Sequence, residues 1–104
     1  MKRFLVRYTF RLDAAATDAW HRRVAEFIAA VDGDADLRGR IRYRCMHGKG
    51  TADYFHLAEA ADDEAIQTLQ SREYFKTYTA ETKRVAGGSV DVLGLETLAE
   101  TRAG

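Results

Sequence analysis

Residues 3–12 alternate without a break, with Phe4, Val6, Tyr8, Phe10 and Leu12 on one parity and Arg3, Leu5, Arg7, Thr9 and Arg11 on the other. A two-residue period sustained that long predicts a strand with one apolar face. Such a face needs a second layer to cover it, and the next segment supplies one. Ala14, Ala15 and Ala16 favour helix, Asp13 or Thr17 is available as N-cap, and Trp20, Val24, Phe27, Ile28 and Val31 recur at helical spacing. Asp32-Gly33-Asp34 predicts the stop, with Gly33 in the left-handed conformation, and 32–39 reads as a polar loop.

Alternation returns at 40–47, where Ile41, Tyr43, Cys45 and His47 oppose Arg40, Arg42, Arg44 and Met46. Gly48-Lys49-Gly50-Thr51 reads as a hairpin turn with two glycines free to take positive φ, leading to a third strand over 52–60. Asp62, Asp63 and Glu64 favour the positive end of a short helix running to about Gln70. Ser71 reads as a fresh N-cap for a helix with Tyr74, Phe75, Tyr78, Thr82 and Val85 inward, stopped by Gly87-Gly88. A last strand falls at 89–98, and no proline interrupts any segment. The order is βαββαβ with the second helix broken in two. It predicts an α+β fold of the ferredoxin-like kind, with helices on one face of a four-stranded antiparallel sheet.

The 104 residues suffice for one domain over 1–104, and 46% hydrophobic content excludes a disordered tail. Sixteen basic side chains balance sixteen acidic ones, yet 1–52 is net basic and 53–104 net acidic, a split suited to halves that meet face to face. Apolar runs are too short for a membrane span, and the charges in Met1-Lys2-Arg3-Phe4-Leu5-Val6-Arg7 break any leader-like core, so a soluble, cytoplasmic protein is expected. The single cysteine, Cys45, excludes an internal disulfide framework and reads as a small buried residue. No metal is expected: there is no Cys-x-x-Cys or His-Glu-x-x-His spacing, and Cys45 and His47 read as opposite in parity to His56. Gly48–Thr51 lacks the frame of a phosphate loop.

Two helices cover only one side of the sheet. Phe4, Val6, Tyr8, Phe10, Ile41, Tyr43, Phe55 and Leu57 suit the covered side, which leaves Leu5, Arg7, Thr9, Arg42, Arg44, Met46, Tyr54 and His56 opposite. That mixture of basic, aromatic and apolar groups suits a small-molecule pocket. The plainer alternative is a solvated face carrying weak ion pairs.

Tyr54-Phe55-His56-Leu57-Ala58-Glu59, then Asp63-Glu64-Ala65, then Ser71 leading into Phe75-Lys76-Thr77-Tyr78 and a closing strand resemble the antibiotic biosynthesis monooxygenase family of dimeric α+β barrel proteins. The likeness in element order spans nearly the whole chain; the likeness in residues spans 54–78. The resemblance implies a homodimer paired through the open sheet faces, and a pocket between sheet and helices for a small aromatic, phenolic or quinol-type ligand. It also implies oxygenation without a cofactor. The sequence departs from the family at several points. Ala60 and Ala61 follow Glu59 where tryptophan is common, Thr68 stands where histidine is common, and Tyr78 falls at the haem-degrading branch's proximal histidine. The chain also has no asparagine, which that branch uses.

Oxygenation without a cofactor needs the substrate itself to give an electron, so a proton must leave it and the anion must be held away from water. His56 is the candidate catalytic base, because imidazole titrates near neutrality. Arg7, Arg42 and Arg44 are candidates to hold the anion, Tyr54 and Tyr78 to orient it, and Trp20 and Phe75 to clamp its ring. Each has a plainer reading: His56 as a hydrogen-bonded strand residue, Trp20 as a core anchor, His21 and His47 as surface groups. A noncatalytic small-molecule-binding barrel is the alternative. Haem binding ranks lower, as does RNA binding on an exposed sheet, because the glycine-aromatic signature of RNA-recognition folds is absent. No nucleic acid or membrane is expected as a partner.

Overall fold

The alternating first segment forms β1 (Lys2–Thr9) in the computed structural model, which describes residues 1–102. A 3-10 turn at Ala14–Ala16 leads into α1 (Thr17–Asp32), followed by β2 (Ile41–His47) and β3 (Asp53–Ala60). α2 (Asp63–Ser71), α3 (Glu73–Val85) and β4 (Asp91–Leu95) complete the order. The strands pair antiparallel in the order β2-β3-β1-β4. All three helices cover one face of this sheet, where Tyr8, Trp20, Phe27, Leu69, Tyr78 and Val85 share a single buried cluster.

Residues directly opposite in an antiparallel ladder point to the same face. Tyr8 pairs with Tyr54 and Val6 with His56, while Cys45 also pairs with His56. Tyr54, His56 and Ala58 therefore lie on the helix-covered face, and Phe55 and Leu57 on the open one. This reverses the parity expected for β3 and places Cys45 on the same face as His56. The alternation in β3 carries apolar groups on both parities, so only the register across the hairpin decides which set turns inward.

The loop after α1 is not wholly polar. Leu37 is 1% exposed and belongs to the core. Asp34 anchors the loop by accepting from Arg72 Nε (2.8 Å) and Tyr74 Oη (2.7 Å), and Arg72 also reaches Asp36 (2.7 Å). Those bonds, the Arg72 guanidinium first, hold the Asp34 carboxyl down to about 2. They also explain the break between α2 and α3. Arg72 is extended (φ −76°, ψ 135°) and is the residue that caps α3, whereas Ser71 ends α2 and donates back to Thr68 O (2.7 Å). Asp62 caps α2 by accepting from Ala65 N (2.9 Å).

Gly33 ends α1 at φ −82°, an ordinary conformation, and in the hairpin only Gly50 takes positive φ. Gly87 and Gly88 do so at 69° and 93°, where Gly88 N bonds Lys83 O (2.8 Å) and Gly87 N bonds Arg84 O (3.1 Å), closing α3 with a Schellman turn. β4 is shorter than the alternation suggested: Leu98 lies beyond it and is 90% exposed. No helix among the described residues is long and apolar enough to cross a membrane.

Leu37→Ala should cost about 2–5 kcal/mol of stability, the range for emptying a buried leucine site. A denaturant titration that found a cost under ~0.5 kcal/mol would mark this as a surface loop.

Candidate active site

Between the sheet and α2–α3 lies a cleft of about 410 Å³. Phe4, Val6, Ile41, Ile66, Leu69 and Phe75 make its wall largely apolar, and His56, Tyr43 and Tyr78 add polar groups to it. Each polar group arrives from a different element. β3 supplies His56, β2 supplies Tyr43, and Tyr78 sits one turn beyond Phe75 on α3. Exposed Lys83, further along α3, brings a cation to the lining.

His56 is 0% exposed and both of its ring nitrogens are engaged. Nε2 lies 2.9 Å from Tyr8 Oη, while Nδ1 lies 3.2 Å from Tyr78 Oη and 3.3 Å from Tyr43 Oη. The direction of these bonds follows from Trp20, whose Nε1–H can only donate and does so to Tyr8 Oη (3.0 Å). Tyr8 accepts from Trp20, and its own proton, having no other acceptor in reach, goes to Nε2 of His56. Nε2 is then the acceptor, so the imidazole is the Nδ1–H tautomer and donates to the Tyr78–Tyr43 pair. Burial holds the ring neutral by lowering its pKa to about 4. The same desolvation raises the Tyr8, Tyr43 and Tyr78 phenols well above their ordinary value. The Cys45 thiol is pushed up to about 11, which keeps it protonated and a poor nucleophile.

Of the expected site residues, the cleft brings together His56, Phe75 and Tyr78. Trp20 stands behind them, stacked on Tyr78 at 5.9 Å, and contacts the site through Tyr8. Tyr54 shares the inner face but lies outside the cleft, stacked on Tyr8 at 5.4 Å, with its hydroxyl 2.6 Å from His21 Nε2. His47 stacks on the other side of this group, 4.4 Å from the Tyr54 ring. Arg7, Arg42 and Arg44 occupy the opposite face of the sheet, where Arg7 meets Asp91 at 3.3 Å. Sequence reasoning assigned Tyr8 and Tyr43 to the core and missed their bonds to His56. Their parity with Val6 and Ile41 was the available signal.

No protein-family model and no curated protein sequence matches the chain. Solved structures do. A crystal structure of an antibiotic biosynthesis monooxygenase superposes with a TM-score of 0.76 at 11% identity, covering 95% of this chain and all (100%) of the other. The fold is that of the antibiotic biosynthesis monooxygenases. SnoaB, a cofactor-independent oxygenase from Streptomyces nogalater, gives 0.70 at 15% identity over 97% of this chain and 96% of its own. Rv0793 from Mycobacterium tuberculosis gives 0.74 at 15% identity, covering 95% and 96%. At such identities the likeness speaks for the monooxygenase fold alone, so the chemistry has to be argued from the cleft.

An imidazole that is neutral when folded and titrates normally when unfolded makes stability depend on pH. Between about pH 6.5 and 4 the unfolded chain binds the extra proton, so stability is complete above that window and falls through it, by roughly 3 kcal/mol in all. Thermal midpoints from pH 7 to 4 should therefore fall more steeply in the native protein than in His56→Gln. Nitrogen NMR of the imidazole should show the Nδ1–H tautomer at pH 7; an Nε2–H ring would mean that the Trp20–Tyr8 bond does not set it.

Proposed function

We propose that this protein is a cofactor-independent, monooxygenase-type enzyme acting on a small aromatic, phenolic or quinol-type substrate. The observation that carries this reading is the apolar cleft lined by the Tyr43–Tyr78–His56 cluster, in a fold shared with a cofactor-independent oxygenase. An aromatic substrate would lie against Phe75, with an oxygen substituent at the tyrosine hydroxyls, where the His56 N–H polarises them. Lys83 would balance the charge of an anionic substrate. The apolar wall excludes water while the electron-rich ring gives an electron to dioxygen.

In this reading His56 acts through its tyrosines. Its lone pair at Nε2 is covered by Tyr8, so it does not take the substrate's proton directly. That favours substrates whose hydroxyl ionises near neutral pH unaided, and the rate should then follow the substrate's own pKa.

The open face supports a homodimer. Leu5, Phe55, Leu57, Leu93 and Leu95 lie on it beside Met46, and Met46, Leu93 and Leu95 are each at least 40% exposed. Pairing two such faces would bury this apolar surface. Arg7, Arg42 and Arg44 then belong to the interface.

One observation favours the second reading, a noncatalytic binding protein: the neutral, fully engaged His56 leaves no free base at the cleft. Oxygen uptake with an anthrone or a reduced quinol separates the two. An enzyme should consume oxygen with metal-free, flavin-free protein, and His56→Ala, which removes the donor that polarises the tyrosine hydroxyls, should lower turnover on the order of 10²-fold. Quenching of Trp20 fluorescence without oxygen uptake would establish the binder. Leu93→Arg should turn the dimer into a monomer in sedimentation velocity; a native chain that is already monomeric would remove the paired-sheet assembly.

A further inference from the structure

The geometry points to a redox-active chain, Trp20–Tyr8–Tyr54, that carries an oxidising equivalent from the cleft to the surface, with Tyr8 as its proton-coupled centre. The four aromatic groups from the cleft outward are in contact. Tyr78 lines the cleft and lies parallel to Trp20 (5.9 Å, 5°), and Trp20 is bonded to the Tyr8 oxygen at 3.0 Å. Tyr8 lies parallel to Tyr54 (5.4 Å, 4°). Tyr54 touches the exposed residues His21 and His47.

A phenol gives up an electron readily only if its proton has somewhere to go, because the phenol radical cation is a far stronger acid than a histidinium. Two tyrosines meet that requirement, and both are in the chain. Tyr8 donates to a lone pair at His56 Nε2, and Tyr54 has His21 Nε2 at 2.6 Å. Tyr78 does not meet it, because His56 donates to its oxygen through Nδ1–H, so Tyr78 bridges without holding the radical.

The steps balance. A peroxyl radical in the cleft, formed when dioxygen adds to a substrate radical, gains one electron and becomes a peroxide anion; the electron comes from Tyr8 by way of Tyr78 and Trp20. The Tyr8 hydroxyl proton moves to Nε2 of His56, leaving a neutral phenoxyl radical beside an imidazolium. Tyr54 then gives Tyr8 an electron while its own proton passes to His21, and the His56 imidazolium returns its proton to Tyr8. The radical ends on Tyr54 beside a protonated His21, where an external thiol or ascorbate restores the electron. The peroxyl radical as source rests on the oxygen chemistry proposed above; the chain's own competence does not.

The test therefore uses an inorganic oxidant on the intact protein: flash-generated ruthenium(III) tris(bipyridine), in H2O and D2O, with tyrosyl radical read by EPR and optical absorption. The native protein should form a tyrosyl radical more slowly in D2O. Tyr54→Phe should slow reduction of the oxidant about tenfold, since it removes the entry point. Tyr8→Phe should shorten the life of the tyrosyl radical, since a hole on Tyr54 then has no second phenol to share it. Equal rates in H2O and D2O overturn the proposal in the unmutated protein, whatever Tyr8→Phe does to folding. So does a radical of unchanged lifetime in folded Tyr8→Phe. Failure of oxygen uptake alongside a positive result here would fault the proposed reaction and not the chain.

Discussion

The indole N–H of Trp20 can only donate, and the Tyr8 hydroxyl it bonds has no acceptor in reach besides His56, which together set the hydrogen-bond polarity at the imidazole. Tyr8 must accept from it and pass its own proton on, His56 must accept at Nε2 and donate at Nδ1, and the hydroxyls of Tyr43 and Tyr78 take what remains. No buried side-chain nitrogen or oxygen among the described residues lacks a partner. A polar cluster sunk in a core is costly unless fully bonded. Three strands and two helices contribute to this one, so their relative positions hold the network together and the network in turn resists their sliding.

The same arrangement places chemistry and stability in opposition. Burial keeps His56 neutral and covers its lone pair, which suits a fixed hydrogen-bond donor and disfavours a proton-abstracting base. The sequence alone makes histidine the obvious base, because its free titration lies near neutrality. Its surroundings change the role. They turn an acid–base group into one that fixes the donors facing the cleft and accepts the hydrogen bond of Tyr8.

Much of the architecture is visible in hydrophobic period. β1 and β2 each carry most of their apolar groups on one parity, α1 and α3 carry stripes at helical spacing, and Gly87-Gly88 ends α3 as its composition suggests. β3 was ambiguous because Tyr54, His56 and Ala58 compete with Phe55 and Leu57 for the inner face. Tyr54 pairs with His47 across the hairpin, so the count of residues 48–53 between them settles the parity, and with it half the site. Leu37 was hidden because a lone leucine in a polar loop has no period to report it. Arg72 was hidden because its acidic partners lie far away in sequence.

The sequence by itself determined the order of strands and helices, the core-facing parity of β1 and the acidic start of α2. These depend on neighbours a few residues apart, where backbone geometry alone decides which side chains share a face. Only the tertiary structure decided which face of β3 turns inward, that His56 meets three tyrosines, and that the arginines lie away from the cleft. Those outcomes depend on strand register and on side chains converging from five separate elements. A local pattern carries no information about either.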